Sequence, residues 1–309
     1  MDSPGQNTKS NAPAYLALGA GIFSLSLSAM FVRWAGAPGP VTGLYRLGIA
    51  ASIAFPFFIN RTRERPIRRA DVIFPLLGGL FTAGDFALWN TSVLFTTASN
   101  ATLLGNTAPL WVAIGAWILF RERLTRDFWV GLALALSGAA LILGGDFLLH
   151  PRFGFGDLMA CGAGVFYAAY MLVTQRGRER MDAFSHWWIV SLTATFGLLG
   201  VNLALGNSLT NYPPQSWMMF AATALVSQII GYLSISYALG HLPAAVVSPS
   251  MIGQPVVTAV LAIPLLGEIP GPTQLTGGLI ALIGIFLVNQ AHTRAQTQPR
   301  RNEELREAL

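Results

Sequence analysis

The stretch from Asn100 to Gly138 constrains the fold of this chain most, because its landmarks recur later in the sequence. A proline interrupts an apolar run, a charged break ends that run, and two glycines mark the next apolar run. Each landmark has a counterpart 146 residues further on. The pairs are Pro109 and Pro255, Glu122 and Glu268, Gly131 and Gly277, and Gly138 and Gly284. Four landmarks at one constant offset indicate a duplication, so two related halves are predicted.

The composition indicates a membrane protein. Of the 309 residues, 53% are hydrophobic and 11% are charged, whereas a soluble domain carries about 25% charged residues. Ten apolar runs of about 17 to 25 residues follow one another, the length that crosses a hydrocarbon core of about 30 Å. The runs are Pro13–Val32, Val41–Ile59, Asp71–Leu94, Ser99–Phe120, Phe128–Gly144, Asp157–Thr174, Ser185–Leu205, Gln215–Leu239, Pro243–Leu266 and Thr273–Gln290. An all-α membrane protein with ten transmembrane helices is therefore predicted.

The duplication divides these helices into two repeats of five. Because five is an odd number, the second repeat must enter the membrane upside down relative to the first. Inverted repeats of this kind are typical of secondary transporters, in which two similar halves alternate access around a central site. The predicted segments are a disordered cytoplasmic tail (1–12), a first five-helix repeat (13–145), a second, inverted repeat (146–290) and a cytoplasmic tail (291–309).

The basic residues predict the orientation. Of the 19 Lys and Arg residues, 16 fall on the side that holds both termini. These are Lys9, Arg61, Arg63, Arg65, Arg68, Arg69, Arg121, Arg123, Arg126, Arg176, Arg178, Arg180, Arg294, Arg300, Arg301 and Arg306. Arg33 and Arg152 fall on the other side, and Arg46 lies inside a span. Because basic loops stay in the cytoplasm, both termini are predicted to be cytoplasmic in an inner (plasma) membrane. The net charge of +5 thus reflects topology rather than a nucleic-acid partner.

Several functional classes find no support in the sequence. The single cysteine, Cys161, lies in an apolar run, and the four histidines are far apart, so no metal site is predicted. No nucleotide-binding or catalytic-triad signature is present, so neither an enzyme nor a cofactor is predicted. The expected partners are the lipid bilayer and a small-molecule substrate. The glycines at 131, 138, 277, 278 and 284 predict close helix packing, in a monomer or at a homodimer face.

Two sequence blocks carry a family resemblance. GNTAPLWVAIGAWILFRERLT (Gly105–Thr125) and QPVVTAVLAIPLLGE (Gln254–Glu268) resemble the drug/metabolite transporter superfamily, EamA type, over almost the whole chain. The resemblance implies ten helices in two inverted halves, export of small metabolites, and a central cavity between the halves. Phe166–Arg176, Leu143–Asp146, and Asn106 and Pro109 within Gly105–Pro109 are similar to aromatic amino acid exporters of that superfamily. Ala108 and Gly253 lie beside the paired prolines, at positions where bulkier residues can occur. The shape of the family's pocket is therefore not assumed for this chain.

Helical periodicity identifies candidate substrate-binding residues. Small, polar and acidic residues on the third helix recur at the spacing of one helical face, which a lipid-facing stripe would not show. They are Gly78, Thr82, Asp85, Trp89 and Ser92. Other helices add Asn100, Thr107 and Trp111 (fourth), Tyr167 and Tyr170 (sixth), Gln228, Tyr232 and Ser236 (eighth), and Ser250, Met251 and Gln254 (ninth). The alternative for each polar residue is a hydrogen bond between helices, which is common in membrane bundles.

Asp85 and the paired prolines carry the more specific hypotheses. Asp85 is the only acidic residue deep within a span, and Arg46 lies at a similar depth. The Asp85 carboxylate either binds a substrate ammonium group or a proton, or it only neutralises Arg46 in an ion pair. Pro109 and Pro255 each remove a backbone donor and are predicted to kink their helices. Because the two kinks lie at matching depths, we expect them to act as gating hinges.

These features favour a secondary transporter that exports small metabolites, with amino acids, including aromatic ones, as the preferred substrates. Tryptophan and tyrosine rings would surround an apolar side chain. Phosphorylated substrates would need several cations, and only Arg46 lies within a span. A drug or cationic-metabolite exporter of the same fold is the alternative, with Asp85 as its counter-charge. An intramembrane enzyme or receptor would need a nucleophile–base pair or an output domain, and the sequence offers neither.

Overall fold

The computed structural model describes residues 11–92, 95, 104–122, 124–143, 154–266 and 271–307. Within these ranges the regular structure is helical, and a short 3-10 turn, Arg69–Val72, precedes the third helix. The helices are α1 (Ala12–Ala35), α2 (Gly39–Glu64), α3 (Ile73–Ser92), α4 (Ala108–Phe120), α5 (Arg126–Leu143), α6 (Phe155–Arg178), α7 (Ala183–Ala204), α8 (Pro214–Ala238), α9 (Ala244–Ser250 and Gly253–Leu266) and α10 (Pro272–Glu307). The prediction of ten helices in an all-α protein is confirmed for the described residues.

The helices are built to cross a membrane. Eight of them, α1 to α3 and α6 to α10, contain a segment long and apolar enough to span the bilayer, and α4 is a shorter apolar helix. Large apolar side chains point outward along their length; Leu16, for example, is 74% exposed, and Phe57 and Trp117 are similar. An apolar surface of this extent is unfavourable in water and matches the hydrocarbon of a bilayer.

The interface between α5 and α10 relates the two halves of the chain. A Cβ atom added to Gly138 would lie 2.5 Å from the carbonyl oxygen of Gly277, and one added to Gly131 would lie 2.9 Å from that of Gly284. The two helices are therefore antiparallel, with backbones in contact. Gly131 faces Gly284, which is the repeat counterpart of Gly138. Gly138 faces Gly277, which is the repeat counterpart of Gly131. Reciprocal contacts of this kind are expected between corresponding helices of two inverted repeats. All four glycines make them within one chain.

Other helix pairs follow the same relation. Helix α3 packs against α6, and their repeat counterparts, α8 and α1, also pack against each other. Helix α4 packs against α6, and its counterpart α9 packs against α1. Helix α2 packs against α7, its own counterpart. The predicted arrangement of two inverted five-helix repeats is thus confirmed, and α2, α3, α6 and α8 surround the centre of the bundle.

The two repeated prolines lie at breaks rather than in the interior of continuous helices. Helix α4 begins at Ala108 after a turn, with Pro109 in its first turn. Helix α9 is interrupted at Met251 and Ile252, and its second segment begins at Gly253, with Pro255 two residues later. The prediction of a kink within one continuous helix is therefore wrong, because each proline follows a break between helical segments. Backbone donors in a first turn have no intrahelical partner, so a proline is tolerated there without losing a hydrogen bond.

Candidate functional site

Arg46 of α2 lies at the centre of the bundle and is only 7% exposed. Its Nε donates a hydrogen bond to Gln228 Oε1 at 3.0 Å, and its Nη1 donates to Ser28 Oγ at 3.1 Å. Gln228 is oriented in turn, because its Nε2 donates to Ser191 Oγ at 3.1 Å. The third nitrogen, Nη2, is buried and has no hydrogen-bond partner in the described part of the chain. Side chains from α1, α7 and α8 therefore fix the guanidinium and leave one edge of it free.

Aromatic rings surround this guanidinium. The Cζ atom of Arg46 lies 5.0 Å from the centre of the Tyr232 ring and 5.5 Å from that of Phe86, distances typical of cation–π contacts. The Tyr232 ring centre is 6.1 Å from that of Tyr170, which is 6.0 Å from that of Tyr167. Rings from α3, α6 and α8 thus form one aromatic wall beside the charge.

Asp85 of α3 lies next to this cluster without a contact ion pair. Its carboxylate interacts electrostatically with Arg46, Tyr167 and Tyr232. However, among the described residues neither a hydrogen bond nor a salt bridge within 4.0 Å joins Asp85 to Arg46. The ion pair, one of the two roles that the sequence left open for Asp85, is therefore not a contact pair in this structure.

A π-helical segment of α8 presents two residues of the cluster. It runs from Thr223 to Tyr232 and includes Gln228. The carbonyl oxygen of Gln228 accepts a hydrogen bond from Trp187 Nε1 of α7 at 3.0 Å. π-Helical turns widen the backbone spacing and are frequent at functional sites. Sequence periodicity assumes an ordinary α-helix, so it gave no signal for this segment.

Four residues of the cluster around Arg46 were not predicted from the sequence. They are Ser28, Phe86, Trp187 and Ser191. One signal for Ser28 was available, because Ser24 and Ser28 are four residues apart and so share a face of an otherwise apolar helix. The other three are common core residue types, and their roles depend on which helices meet at Arg46.

The candidates on α4 form a separate group with Trp89. The indole Nε1 of Trp111 donates to Thr107 Oγ1 at 3.2 Å, and Thr107 Oγ1 donates to the carbonyl of Leu104 at 2.6 Å. The Trp89 ring packs against Gly105, where an added Cβ would be 3.2 Å from its Cδ1 atom. Thr82 is buried and donates to the carbonyl of Gly78 on its own helix at 2.9 Å. The contact of Trp89 with Gly105 connects α3 to the break before α4.

The remaining candidates lie outside the Arg46 cluster. Met251 is buried at the break in α9, and Gln254 points its Nε2 towards the Met251 sulfur at 4.0 Å. The backbone carbonyl of Gln254 accepts a hydrogen bond from Ser26 Oγ of α1 at 3.2 Å, so this region joins α1 to α9. Ser250 is buried; its Oγ donates to the carbonyl of Val246 at 2.9 Å and accepts from Asn289 Nδ2 of α10 at 3.3 Å. Asn100 lies outside the described residues.

Ser236 belongs to a set of contacts near one end of the bundle. This end, called the basic end here, carries the connections at residues 65–68, 121–122 with 124–125, and 179–182. Arg178 of α6 donates from Nε to the carbonyl of Ser236 on α8 at 2.9 Å and also bonds the carbonyl of Met181. Gln175 Oε1 accepts from the backbone N–H of Ala244, at the start of α9, at 2.5 Å. Helix α6 is thereby tied to α8 and α9 at the basic end.

Ion pairs reinforce the basic end. Arg61 Nε lies 3.6 Å from Asp182 Oδ1, and Arg180 Nη1 lies 3.6 Å from Asp71 Oδ1. Burial opposes ionisation of Asp182, but hydrogen bonds from Ser185 and the nearby arginines outweigh it and lower the pKa of that carboxyl group. A cavity of about 460 Å³ opens here. Its lining includes Arg65, Arg68 and Arg180, and none of the Arg46 cluster.

Comparison with known proteins identifies a family. The sequence profile described as the EamA-like transporter family matches residues 12–144 and again residues 154–290, once in each half. One solved structure, described only as the crystal structure of a protein, superposes with a TM-score of 0.75 over 93% of this chain and 99% of its own. At 18% identity this likeness shows the fold alone.

Two curated relatives are named as transport proteins. A probable terminal-alkyne amino-acid exporter of Streptantibioticus cattleyicolor is 28% identical over 84% of this chain and 90% of its own length. The uncharacterized transporter YyaM of Bacillus subtilis is 23% identical over 78% of this chain and 81% of its own. Across the described residues, no group of three His, Cys, Asp or Glu side chains is arranged to hold a metal ion.

Proposed function

The chain belongs to the EamA-like transporter family, and from that membership we propose that it exports amino acids, including aromatic ones, by alternating access. The family places the protein in a membrane as a transporter of small molecules, and its named relatives are transporters rather than enzymes. The observation that carries the proposal is the central cluster. One buried cation, one nearby carboxylate and a wall of aromatic rings complement the groups of an aromatic amino acid.

The energetics of burial support a functional role for this cluster. A charged side chain in the middle of a bilayer costs about 2.5–3.5 kcal/mol on insertion scales, so such residues are rare away from substrate paths. Arg46 and Asp85 are both on spanning helices, and neither neutralises the other by direct contact. The charges of a bound zwitterion would compensate both. The tyrosines of α6 and α8 would cover an apolar side chain.

Alternating access needs one closed end at a time. The Arg178 and Gln175 contacts and the two ion pairs support a conformation in which the basic end is closed. Since basic residues mark the cytoplasmic side, the protein would sit in the inner membrane with both termini inside and this closure at the cytoplasmic entrance. The broken helices α4 and α9, with Pro109 and Pro255, would supply the hinges. The cluster is complete within one chain, so one chain is the transport unit in either a monomer or a homodimer.

The alternative substrate class is a drug or another cationic or neutral metabolite. Asp85 favours a cation, but Arg46 argues against one, because a permanent buried positive charge beside the site repels a positively charged ligand. The name of the Streptantibioticus cattleyicolor relative also supports an amino acid. We therefore place amino acids first.

A proteoliposome uptake screen tests the proposal. Purified protein is reconstituted and offered labelled aromatic amino acids, nucleosides and cationic dyes, with and without a pH gradient. We expect uptake of an aromatic amino acid above that of empty liposomes. The Gly200→Ala variant should match the parent, since Gly200 has open space around it. Uptake of the dyes alone would support the alternative, and uptake of none of these would refute the proposal for this substrate class.

A further inference from the structure

Resting on the proposed function, we infer that the free Nη2 edge of Arg46 binds the carboxylate of the substrate, so that a carboxylate is required for transport. Sequence analysis gave Arg46 only the role of neutralising Asp85. The structure places it where a ligand carboxylate would complete its hydrogen bonds.

The inference is based on which nitrogens of the Arg46 guanidinium make hydrogen bonds. A guanidinium has five N–H donors on three nitrogens and no acceptor. Nε is used by Gln228, and Nη1 is used by Ser28, while Nη2 is fully buried and lacks a partner among the described residues. A buried donor without a partner is expensive, and a charged donor is more so. An unused nitrogen on a guanidinium that is otherwise fixed is therefore a donor suited to an acceptor that the chain itself does not supply.

The fixed position makes the guanidinium a prepared site. Gln228 is 2% exposed, and Ser191 orients its amide, so the Arg46 side chain has little freedom to turn away from the cluster. The rings of Tyr232 and Phe86 lie near its Cζ atom. Groups that are already ordered lose little entropy on binding, which strengthens a single charge-assisted hydrogen bond.

The chemistry of one free nitrogen favours a carboxylate over a phosphate. A dianionic phosphate is usually bound by several cations or by a bidentate arginine. Here two of the three nitrogens are already bonded, and the aromatic wall adds no second cation. A monoanionic carboxylate matches the two N–H groups of Nη2 and the single positive charge of the side chain. Asp85, which interacts with the same tyrosines, would then face the ammonium end of the substrate.

A ligand series on the parent protein tests the inference without any mutation. Uptake of labelled phenylalanine into proteoliposomes is challenged with unlabelled phenylalanine, its methyl ester, phenethylamine and 3-phenylpropionate. Phenylalanine should compete best. The ester and the amine, which lack the carboxylate, should be at least about tenfold weaker, the effect of losing one charge-assisted hydrogen bond. Equal competition by the acid and the ester would overturn the inference.

Variants assign the effect to Arg46. Arg46→Gln should weaken competition by phenylalanine about 10- to 100-fold while changing competition by the ester little, so that the two become alike. Arg46→Lys keeps the charge and should recover part of the discrimination. Arg294→Gln is the matched control, because this arginine is exposed on α10 just beyond the apolar segment that ends at His292 and should leave the ligand series unchanged. Retained discrimination in a folded Arg46→Gln protein would contradict the inference.

A binding assay separates the failure of this inference from that of the proposed function. The thermal stability of the detergent-purified parent is measured with 3-phenylpropionate and with its methyl ester. If phenylalanine is transported but the acid and ester series are indistinguishable, the anchor is wrong and the function stands. If phenylalanine is not transported, stabilisation by the acid alone still supports the anchor, and equal effects of both compounds refute it. This assay also decides the matter if Arg46→Gln does not fold.

Discussion

Among single residues, uncharged neighbours hold the guanidinium of Arg46 in position. Gln228 accepts from Nε, and Ser28 accepts from Nη1. These bonds hold the guanidinium in place, while Asp85 lies near it without a contact pair. A ligand with both charges can then bind between them without first breaking an internal salt bridge.

Asp85→Asn tests whether the carboxylate acts on substrate or only on Arg46. Because Asp85 has no contact bond with Arg46, we expect the variant to insert and fold, with a melting temperature close to that of the parent. Transport of an amino acid should fall at least about tenfold, because a charge-assisted contact with the ammonium group is lost. Uptake and thermal unfolding of the purified variant are the measurements.

The opposite outcome identifies the structural role. If Asp85 only neutralises Arg46, Asp85→Asn should be unstable, and the double variant Asp85→Asn with Arg46→Gln should recover expression. The double variant is informative because it removes both charges at once. A stable Asp85→Asn protein that transports normally at every pH would sink the binding role of this carboxylate.

Sequence periodicity predicted part of this site for a clear physical reason. Asp85, Gln228 and Tyr232 are unusual residues for an apolar span, so their placement is informative in itself. Phe86 and Trp187 are ordinary apolar residues of membrane helices, and only the packing of α2, α3, α7 and α8 brings Phe86 to Arg46 and Trp187 to Gln228. Their roles arise from tertiary structure, which the periodicity of one helix does not contain.

At the scale of helices, the two breaks are the features most suited to movement. Sequence analysis predicted kinks at Pro109 and Pro255, and the structure instead has each proline at the start of a helical segment. The sequence located the positions because a proline disfavours an uninterrupted helix. It did not indicate the turns before them, because helix ends depend on capping and packing as well as on proline.

Pro109→Ala and Pro255→Ala test the hinge hypothesis. Alanine would restore a backbone donor and permit the helix to extend across the break, which opposes a change in angle there. We expect slower transport with substrate affinity changed less than twofold. Pro264→Ala is the matched control, since Pro264 lies within the second segment of α9 rather than at its start. Parental transport rates in both test variants would leave the prolines with a purely structural role.

The α5–α10 interface makes a prediction about stability. A Cβ at Gly138 would lie 2.3 Å from the backbone nitrogen of Ala281, too close for any real contact, so Gly138→Ala must force the two helices apart. Overpacking of this kind costs about 1–3 kcal/mol. The thermal unfolding temperature of the detergent-purified variant should fall. Gly200→Ala should be neutral or slightly stabilising, because alanine favours a helix and Gly200 has open space. Equal unfolding temperatures for both variants would contradict the close packing.

In the molecule as a whole, the inversion of the two halves explains why two equivalent connections differ in their content of basic residues. The connection at residues 121–125 is basic, while its counterpart before α10 contains no basic residue. Both follow equivalent helices. The difference arises because equivalent helices end on opposite sides of the membrane, where the preference for basic residues is opposite. The helix order and the duplication were predictable from the sequence, whereas the contacts at the basic end were not, since they join residues distant in sequence.

Single-cysteine labelling tests the orientation and the inversion together. In a Cys161→Ala background, cysteines are placed at Arg65 and Arg126 of the basic end, and at Thr210 and Thr273 of the other end, where the described side chains are exposed. A membrane-impermeant thiol reagent applied to intact cells should label the second pair and spare the first. After permeabilisation, all four should react, which controls for buried positions. The reversed pattern would show that the termini are outside. Labelling of both Arg126 and Thr273 positions from one side would refute the inverted repeat, because these residues begin equivalent helices that must start on opposite faces.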